Sequence, residues 1–226
     1  MWCFFLKFQP REFLNSMQDG CIYMNPVSYF KKNDYAKLHL FDKFENTNIY
    51  LQNAKMDVIQ KDQIIHSSIV HDVAITYGQQ HSPLTHIWCC FHVKKGSPIR
   101  GDNKIFSDDM WEFGDQFLLI TNTDKFIERI FGAIRRDKLS SKADSVSYIA
   151  KAPVIKDMNI FCKFDNYSYQ QEYRIGIKAS DEYIDKAYKL EIGSIHDISI
   201  IMNKSKVKNF VNNTTDARGL LSILEF

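Results

Sequence analysis

Between residues 169 and 174 the chain runs Tyr169-Gln170-Gln171-Glu172-Tyr173-Arg174. In extended backbone, alternate side chains share a face. Gln170, Glu172, Arg174 and Gly176 then stand on one side, and Tyr173, Ile175 and Ile177 on the other. A carboxylate flanked by an amide and a guanidinium can accept hydrogen bonds from a sugar hydroxyl. It can stabilise positive charge developing on a ribosyl carbon, and the neighbouring cation keeps it ionised. Cleavage of an N-glycosidic bond needs these properties, because its transition state resembles an oxocarbenium ion. The same alternation also fits a solvent-facing sheet surface carrying an ordinary Glu–Arg pair.

Other chemistries find less support. His66, His71, His81, His86 and His92 form no His-x-x-x-His pair with a nearby Glu on a helix. Cys89 and Cys90 are adjacent and point to opposite sides of a strand, which is poor zinc geometry, so no metal is expected. There is no Gly-x-Gly-x-x-Gly, no Gly-Lys-Ser/Thr phosphate loop and no Gly-x-Ser-x-Gly elbow. Rossmann, P-loop and serine-hydrolase readings therefore fail. Tyr23, Phe30 and Trp111 are aromatic positions that can stack on a planar ligand ring or fill a core.

The elements that must position these groups read as a mixed α+β pattern over a single domain, 1–226. Residues 2–8 make a buried strand ended by Gln9-Pro10. Phe13, Leu14 and Met17 give the next helix one apolar face, and Gly20 stops it. Cys21 to Met24 is a second strand before Asn25-Pro26. Residues 31–55, including Glu45-Asn46-Thr47-Asn48, read as polar loop or exposed helix. Residues 63–77 read as helix then strand. Ile87 to Val93 is an apolar strand, Lys94 to Asp109 a loop and Phe117 to Ile120 a strand. Thr123 is placed to cap a helix striped by Phe126, Ile127, Ile130, Phe131 and Ile134. Short strands fill 145–164, then 170–178, 186–192 and 197–202. A helix from Ser205 to Asn212 and a strand from Leu221 to Glu225 close the chain.

Composition narrows the class. The 226 residues are 45% hydrophobic and 14% aromatic, enough for a sizeable core. With 29 basic and 27 acidic residues the net charge is +2, weaker than phosphate-driven nucleic-acid binding usually demands. The cysteines are five, an odd number at irregular spacing, which predicts free thiols in a reducing compartment. No apolar run approaches ~18 residues and the N-terminal run is too short for a signal peptide. A cytoplasmic protein with no membrane partner is expected.

The order of short motifs resembles uncharacterised bacterial proteins related to abortive-infection and toxin ADP-ribosyltransferases. The matching pieces are Phe5-Leu6-Lys7-Phe8, then Gly20 to Asn25-Pro26 with Phe30. Cys90-Phe91, Met110-Trp111 with Phe113-Gly114, and Tyr169 to Arg174 follow. The resemblance implies split mixed and antiparallel sheets with flanking helices, and NAD as substrate in a cleft between them. It implies Glu172 as the catalytic glutamate that bonds the nicotinamide ribose, and Gln170 as the residue that orients the acceptor. It places Lys7, Phe8, Tyr23, Asn25, Phe30, Cys90, His92, Trp111 and Arg174 around the dinucleotide. It also implies a macromolecular acceptor (RNA, DNA or protein) and a neutralising antitoxin. Lys7 stands where such enzymes carry Arg or His, and His92 where Ser is usual. These departures favour the alternative of a non-enzymatic interaction or sensor domain. An NAD glycohydrolase using the same glutamate is the third reading.

Overall fold

The computed structural model describes residues 3–31, 42–76, 82, 84–94 and 106–204. The chain is α+β, mostly antiparallel sheet with few helices. It opens with strand β1 (Cys3–Phe8), helix α1 (Arg11–Gln18) and strand β2 (Cys21–Pro26), followed by a single helical turn, α2 (Val27–Phe30). Strands β3 (Ile49–Gln60), β4 (Gln63–Ile75), β5 (His86–Lys94) and β6 (Gln116–Ile120) precede helix α3 (Thr123–Arg136). Strands β7 (Ser140–Ser145), β8 (Ser147–Ile149), β9 (Val154–Lys156) and β10 (Cys162–Phe164) are short. They lead to β11 (Glu172–Lys178), β12 (Tyr188–Glu191) and β13 (Ser199–Asn203).

Eight strands form the main sheet, and β5 is its hub. At Phe91 it pairs with Glu172 of β11 on one edge and with Leu6 of β1 on the other. On that second edge, β1 takes Phe91 to Lys94 while β2 takes only His86 and Ile87. Among the described residues, Trp88, Cys89 and Cys90 are left between them with no strand alongside on that edge. After Leu6, β1 continues in register with β6 alone, Lys7 opposite Leu118 and Phe8 opposite Phe117. The sheet therefore splits at residues 88–90 of β5.

One face of this sheet is covered by α1 and α3. Leu14, Met17, Phe126 and Ile130 pack there on Phe5, Trp88, Leu118 and Ile175, with the period-3.6 apolar stripe of each helix turned inward. On the opposite face Phe4, Leu6, Phe8, Phe91 and Phe117 meet Phe106 and Met110. Asn122, not Thr123, caps α3: its side-chain oxygen accepts from the Lys125 amide at 3.0 Å, and Thr123 is the first helical residue. Gly20 joins α1 to β2 at φ +108°, and a Cβ there would lie 2.4 Å from the Gly193 backbone.

The segment 63–76, expected as helix then strand, contains no helix. Residues 63–75 are β4, antiparallel to β3 from Ile49↔Ile75 to Gln60↔Gln63. The turn residues Lys61 and Asp62 both take positive φ, 48° and 62°, the backbone of a two-residue hairpin that matches strand twist. Lys-Asp lacks the glycine that normally announces such a turn. The segment read as polar loop also ends in strand, and three of its polar residues are buried rather than exposed. Asp42, Glu45 and Thr47 are all shielded from solvent. The expected elements at 205–212 and 221–225 lie outside the described residues.

Candidate active site at the split of the sheet

Glu172 is the first residue of β11. Gln170, expected beside it on the strand, ends the 3-10 turn Asp165–Gln170 instead. Gln171 sits between them in the left-handed region at φ 38°, and its carbonyl accepts from the His92 amide at 2.9 Å. The backbone thus leaves the strand one residue before Glu172. Lys163 on β10 brings the two side chains together again. Its Nζ donates to Gln170 Oε1 at 2.8 Å and to Glu172 Oε1 at 2.6 Å.

Arg174 lies under this pair. Its Nε donates to Glu172 Oε2 at 2.7 Å, and its two Nη atoms clamp the Glu45 carboxylate at 2.6 and 2.9 Å. A further bond goes to the Ile160 carbonyl. Arg174 is only 1% exposed and Glu172 7%, so the pair is no sheet-surface decoration. The fork of donors matches carboxylate geometry, which is why Arg can be satisfied so deep. Burial by itself raises the Glu172 carboxyl, but the Arg174 guanidinium and the Lys163 ammonium outweigh it and hold it well below the usual carboxylate range. Asp42 moves the other way. Burial and the nearby Glu45 charge raise it, although its Oδ1 accepts from the Phe44 amide at 2.9 Å.

Above the charges is a cavity of about 60 Å³ at the split. Of the residues expected at the site, Gln170, Glu172 and Arg174 line it from the β11 side. Lys7, Phe8, Phe30 and Cys90 line it from the others. Lys7 occupies the split itself, with Nζ donating to the Cys89 carbonyl at 2.7 Å. This bond satisfies an acceptor on the stretch of β5 that has lost its neighbouring strand. The Asp42 amide donates to the Phe30 carbonyl at 3.0 Å, tying the acidic turn to the cavity wall.

Four expected residues do not line the cavity. The Tyr23 ring is exposed on β2 with Lys189 over it at 5.2 Å, and Asn25 pairs with Ile87 beyond the split. His92 points to the helix-covered face, edge-on to Phe5 at 5.2 Å and to Tyr173 at 5.5 Å. Trp111 packs into the cluster of Phe8, Phe106 and Phe117 while its neighbours Met110 and Phe113 reach the cavity. Cys90 contributes from the helix side of β5, its Sγ directed at the Tyr173 carbonyl. Cys89, opposite Arg174, shares the face of Glu172, and burial pushes its thiol up.

Lys163, Glu45 and Cys89 were not among the expected site residues. For Lys163 the only signal was a lone cation between Cys162 and Phe164 in an apolar run, and Glu45 lay in a segment whose polarity mimics a surface loop. Among the described residues, no group of three or more His, Cys, Asp or Glu side chains is arranged to hold a metal ion. No helix among them is long and apolar enough to cross a membrane. The chain matches no protein-family model, no curated protein and no solved structure.

Proposed function

We propose that this protein transfers ADP-ribose from NAD to a macromolecular acceptor, with Glu172 stabilising the ribosyl cation. The observation that carries this reading is the state of Glu172. It is a carboxylate held ionised by Lys163 and Arg174 at the floor of a small cavity, where an otherwise continuous sheet splits. Such a group is no proton donor near neutral pH, because its carboxyl lies far below that range. Its role is electrostatic. A carboxylate has about four acceptor positions, and Lys163 and Arg174 occupy one on each oxygen. The remainder can accept the ribose hydroxyls.

In this mechanism the bond between the ribosyl carbon and the nicotinamide nitrogen breaks, and its electron pair leaves on the ring, which becomes neutral. The cation left on the ribosyl carbon faces Glu172. Gln170, held by Lys163, orients the acceptor, whose nucleophile forms the new bond and releases its proton to water. The nicotinamide ring fits the cavity between Phe8 and Phe30, and Lys7 is the cation nearest the outward path of the phosphates. The parting of β1 and β2 along β5 supports this reading, since it opens a cleft among the strands. A bacterial toxin or phage-defence role, with a neutralising antitoxin, accompanies this reading.

A non-enzymatic interaction or sensor domain is favoured by one observation: both Glu172 oxygens are already bound by cations, as in a purely structural network. The two readings separate when the purified chain and its Glu172→Gln variant are incubated with adenylate-labelled NAD and a cell extract. Label on a macromolecule, lost in the variant, supports transfer. Nicotinamide release without labelling indicates hydrolysis by the same glutamate. If neither form consumes NAD, the enzymatic reading is wrong.

A further inference from the structure

The peptide that joins Gln171 to Glu172 is held from both edges of β11. On the β5 side its carbonyl accepts from the His92 amide at 2.9 Å. On the β7 side its N–H donates to the hydroxyl of Tyr148, also at 2.9 Å. That second bond departs from the ladder. β7 and β11 are antiparallel with Tyr173 opposite Ser145, so Val146 stands opposite Glu172. The Val146 amide donates to the Glu172 carbonyl at 2.9 Å. Two residues so placed ordinarily exchange both bonds, which would send the Glu172 N–H to the Val146 carbonyl. A side chain takes that place instead, at the residue whose carboxylate forms the floor of the cavity.

The replacement lets the chain turn. After Val146 it leaves β7, the Ser147 amide donates to the Phe161 carbonyl, and β8 runs parallel to β10 with Tyr148 beside Lys163. Registered residues of adjacent strands share a face, so this two-stranded sheet presents both side chains together. Lys163 grips the Glu172 carboxylate and Tyr148 grips its main chain. The peptide between these grips follows a strained residue. Gln171 sits at φ 38° and ψ 51°, and a residue with a side chain persists there only where its surroundings fix it. Tyr148 is half-buried, and burial and the Glu172 charge push its phenol up, so its oxygen remains a neutral acceptor around neutral pH. Without that oxygen the N–H has no acceptor. The peptide is then free to swing toward the Val146 carbonyl, turning the Cα–Cβ bond of Glu172 with it.

We infer that Tyr148 is a positioning residue of this site, its hydroxyl fixing the peptide that aims the Glu172 carboxylate into the cavity. The inference rests on Glu172 as the group that faces the ribosyl cation. Tyr148→Phe removes the oxygen and keeps the ring. It is expected to lower kcat for nicotinamide release by up to about 100-fold, the loss that a misplacement of ~1 Å can bring, with KM for NAD unchanged. Tyr167→Phe, which alters another half-buried ring beside Lys163, leaves both constants as they are. A carboxylate that has swung off its cations also titrates closer to the ordinary range. Carboxyl NMR, with the Glu172 signal assigned by its loss in Glu172→Gln, is expected to show that rise in Tyr148→Phe. An unchanged kcat overturns the inference, whatever the variant loses in stability. If the unaltered chain consumes no NAD, the catalytic reading of Glu172 fails, and the carboxyl titration alone decides whether Tyr148 aims it: a rise supports the inference and an unmoved signal overturns it. Should Tyr148→Phe fail to fold, deuterium exchange at the Glu172 amide of the unaltered chain decides. Slow exchange accords with the bond to the hydroxyl, and rapid exchange overturns it.

Discussion

At the scale of single residues, Arg174 is the group the site depends on most. It neutralises Glu45 and Glu172 together, and neither carboxylate has water enough around it to stand alone. Removing one member of a buried pair typically costs about 3–5 kcal/mol. Arg174→Ala is expected to lose stability of that order in urea unfolding, and Glu45→Gln added to it to recover part of the loss, since the stranded charge is then gone. Acid should reveal two opposite contributions. The folded-state carboxyl of Glu172 lies below its ordinary 4.5, so its stabilisation is complete above that pH and declines as pH falls through the folded value. Asp42 is raised when folded, so the folded chain binds that proton first, and its destabilisation is relieved as pH falls. Thermal midpoints followed from about pH 7 to about pH 3 should therefore show a flatter acid limb for Glu172→Gln. Asp42→Asn should melt higher than the unaltered chain at neutral pH. The residue pattern at 170–174 did disclose a carboxylate next to a guanidinium. It could not disclose Glu45 as the third member, because the pair is closed by a contact across 129 positions, for which alternation within one strand has no signal.

At the scale of elements, the buried strands were legible and the hairpin was not. β1, β5, β6 and β11 announce themselves as apolar or alternating runs, because each is packed on both faces or on one. β3 and β4 pack on neither along most of their length, so their apolar residues follow no burial period, and their turn is made by Lys61 and Asp62 rather than glycine. α1 was legible in its extent and its stop, although Phe13, expected on its apolar face, is exposed. Gly20 ends it in a conformation closed to side chains by both its φ and the Gly193 backbone. Gly20→Ala is expected to cost at least ~2 kcal/mol in denaturant unfolding, combining positive-φ strain with a clash against main chain. β10 exists in the site for the sake of one side chain. Lys163→Met should leave the sheet intact and raise the Glu172 carboxyl toward its ordinary range, because one of its two cations is gone. If Gln170 positions an acceptor through Lys163, the same variant weakens transfer more than it weakens nicotinamide release, a split that labelled NAD resolves.

At the scale of the whole molecule, the cavity draws its walls from β1, α2, β5, the turns 108–113 and 165–170, β10 and β11. A ligand bound there holds seven segments together and stabilises the folded state by mass action. At a hundred times the dissociation constant the gain is about 2.7 kcal/mol. For a chain of this size that corresponds to a rise in melting temperature of roughly 5–11 °C. NAD is expected to produce such a rise in differential scanning fluorimetry, and no rise at saturating NAD argues against binding at the split. The bond between Glu45 and Arg174 has a last consequence, for the order of events during synthesis. A ribosome that has emitted Glu45 must add 129 residues before the guanidinium that receives it exists. At about 5–20 residues per second that is a wait of roughly 6–26 seconds. Any chain abandoned in that interval carries the first strand and the acidic turn but no Arg174. On the function proposed above, prematurely terminated copies are harmless to the cell that makes them.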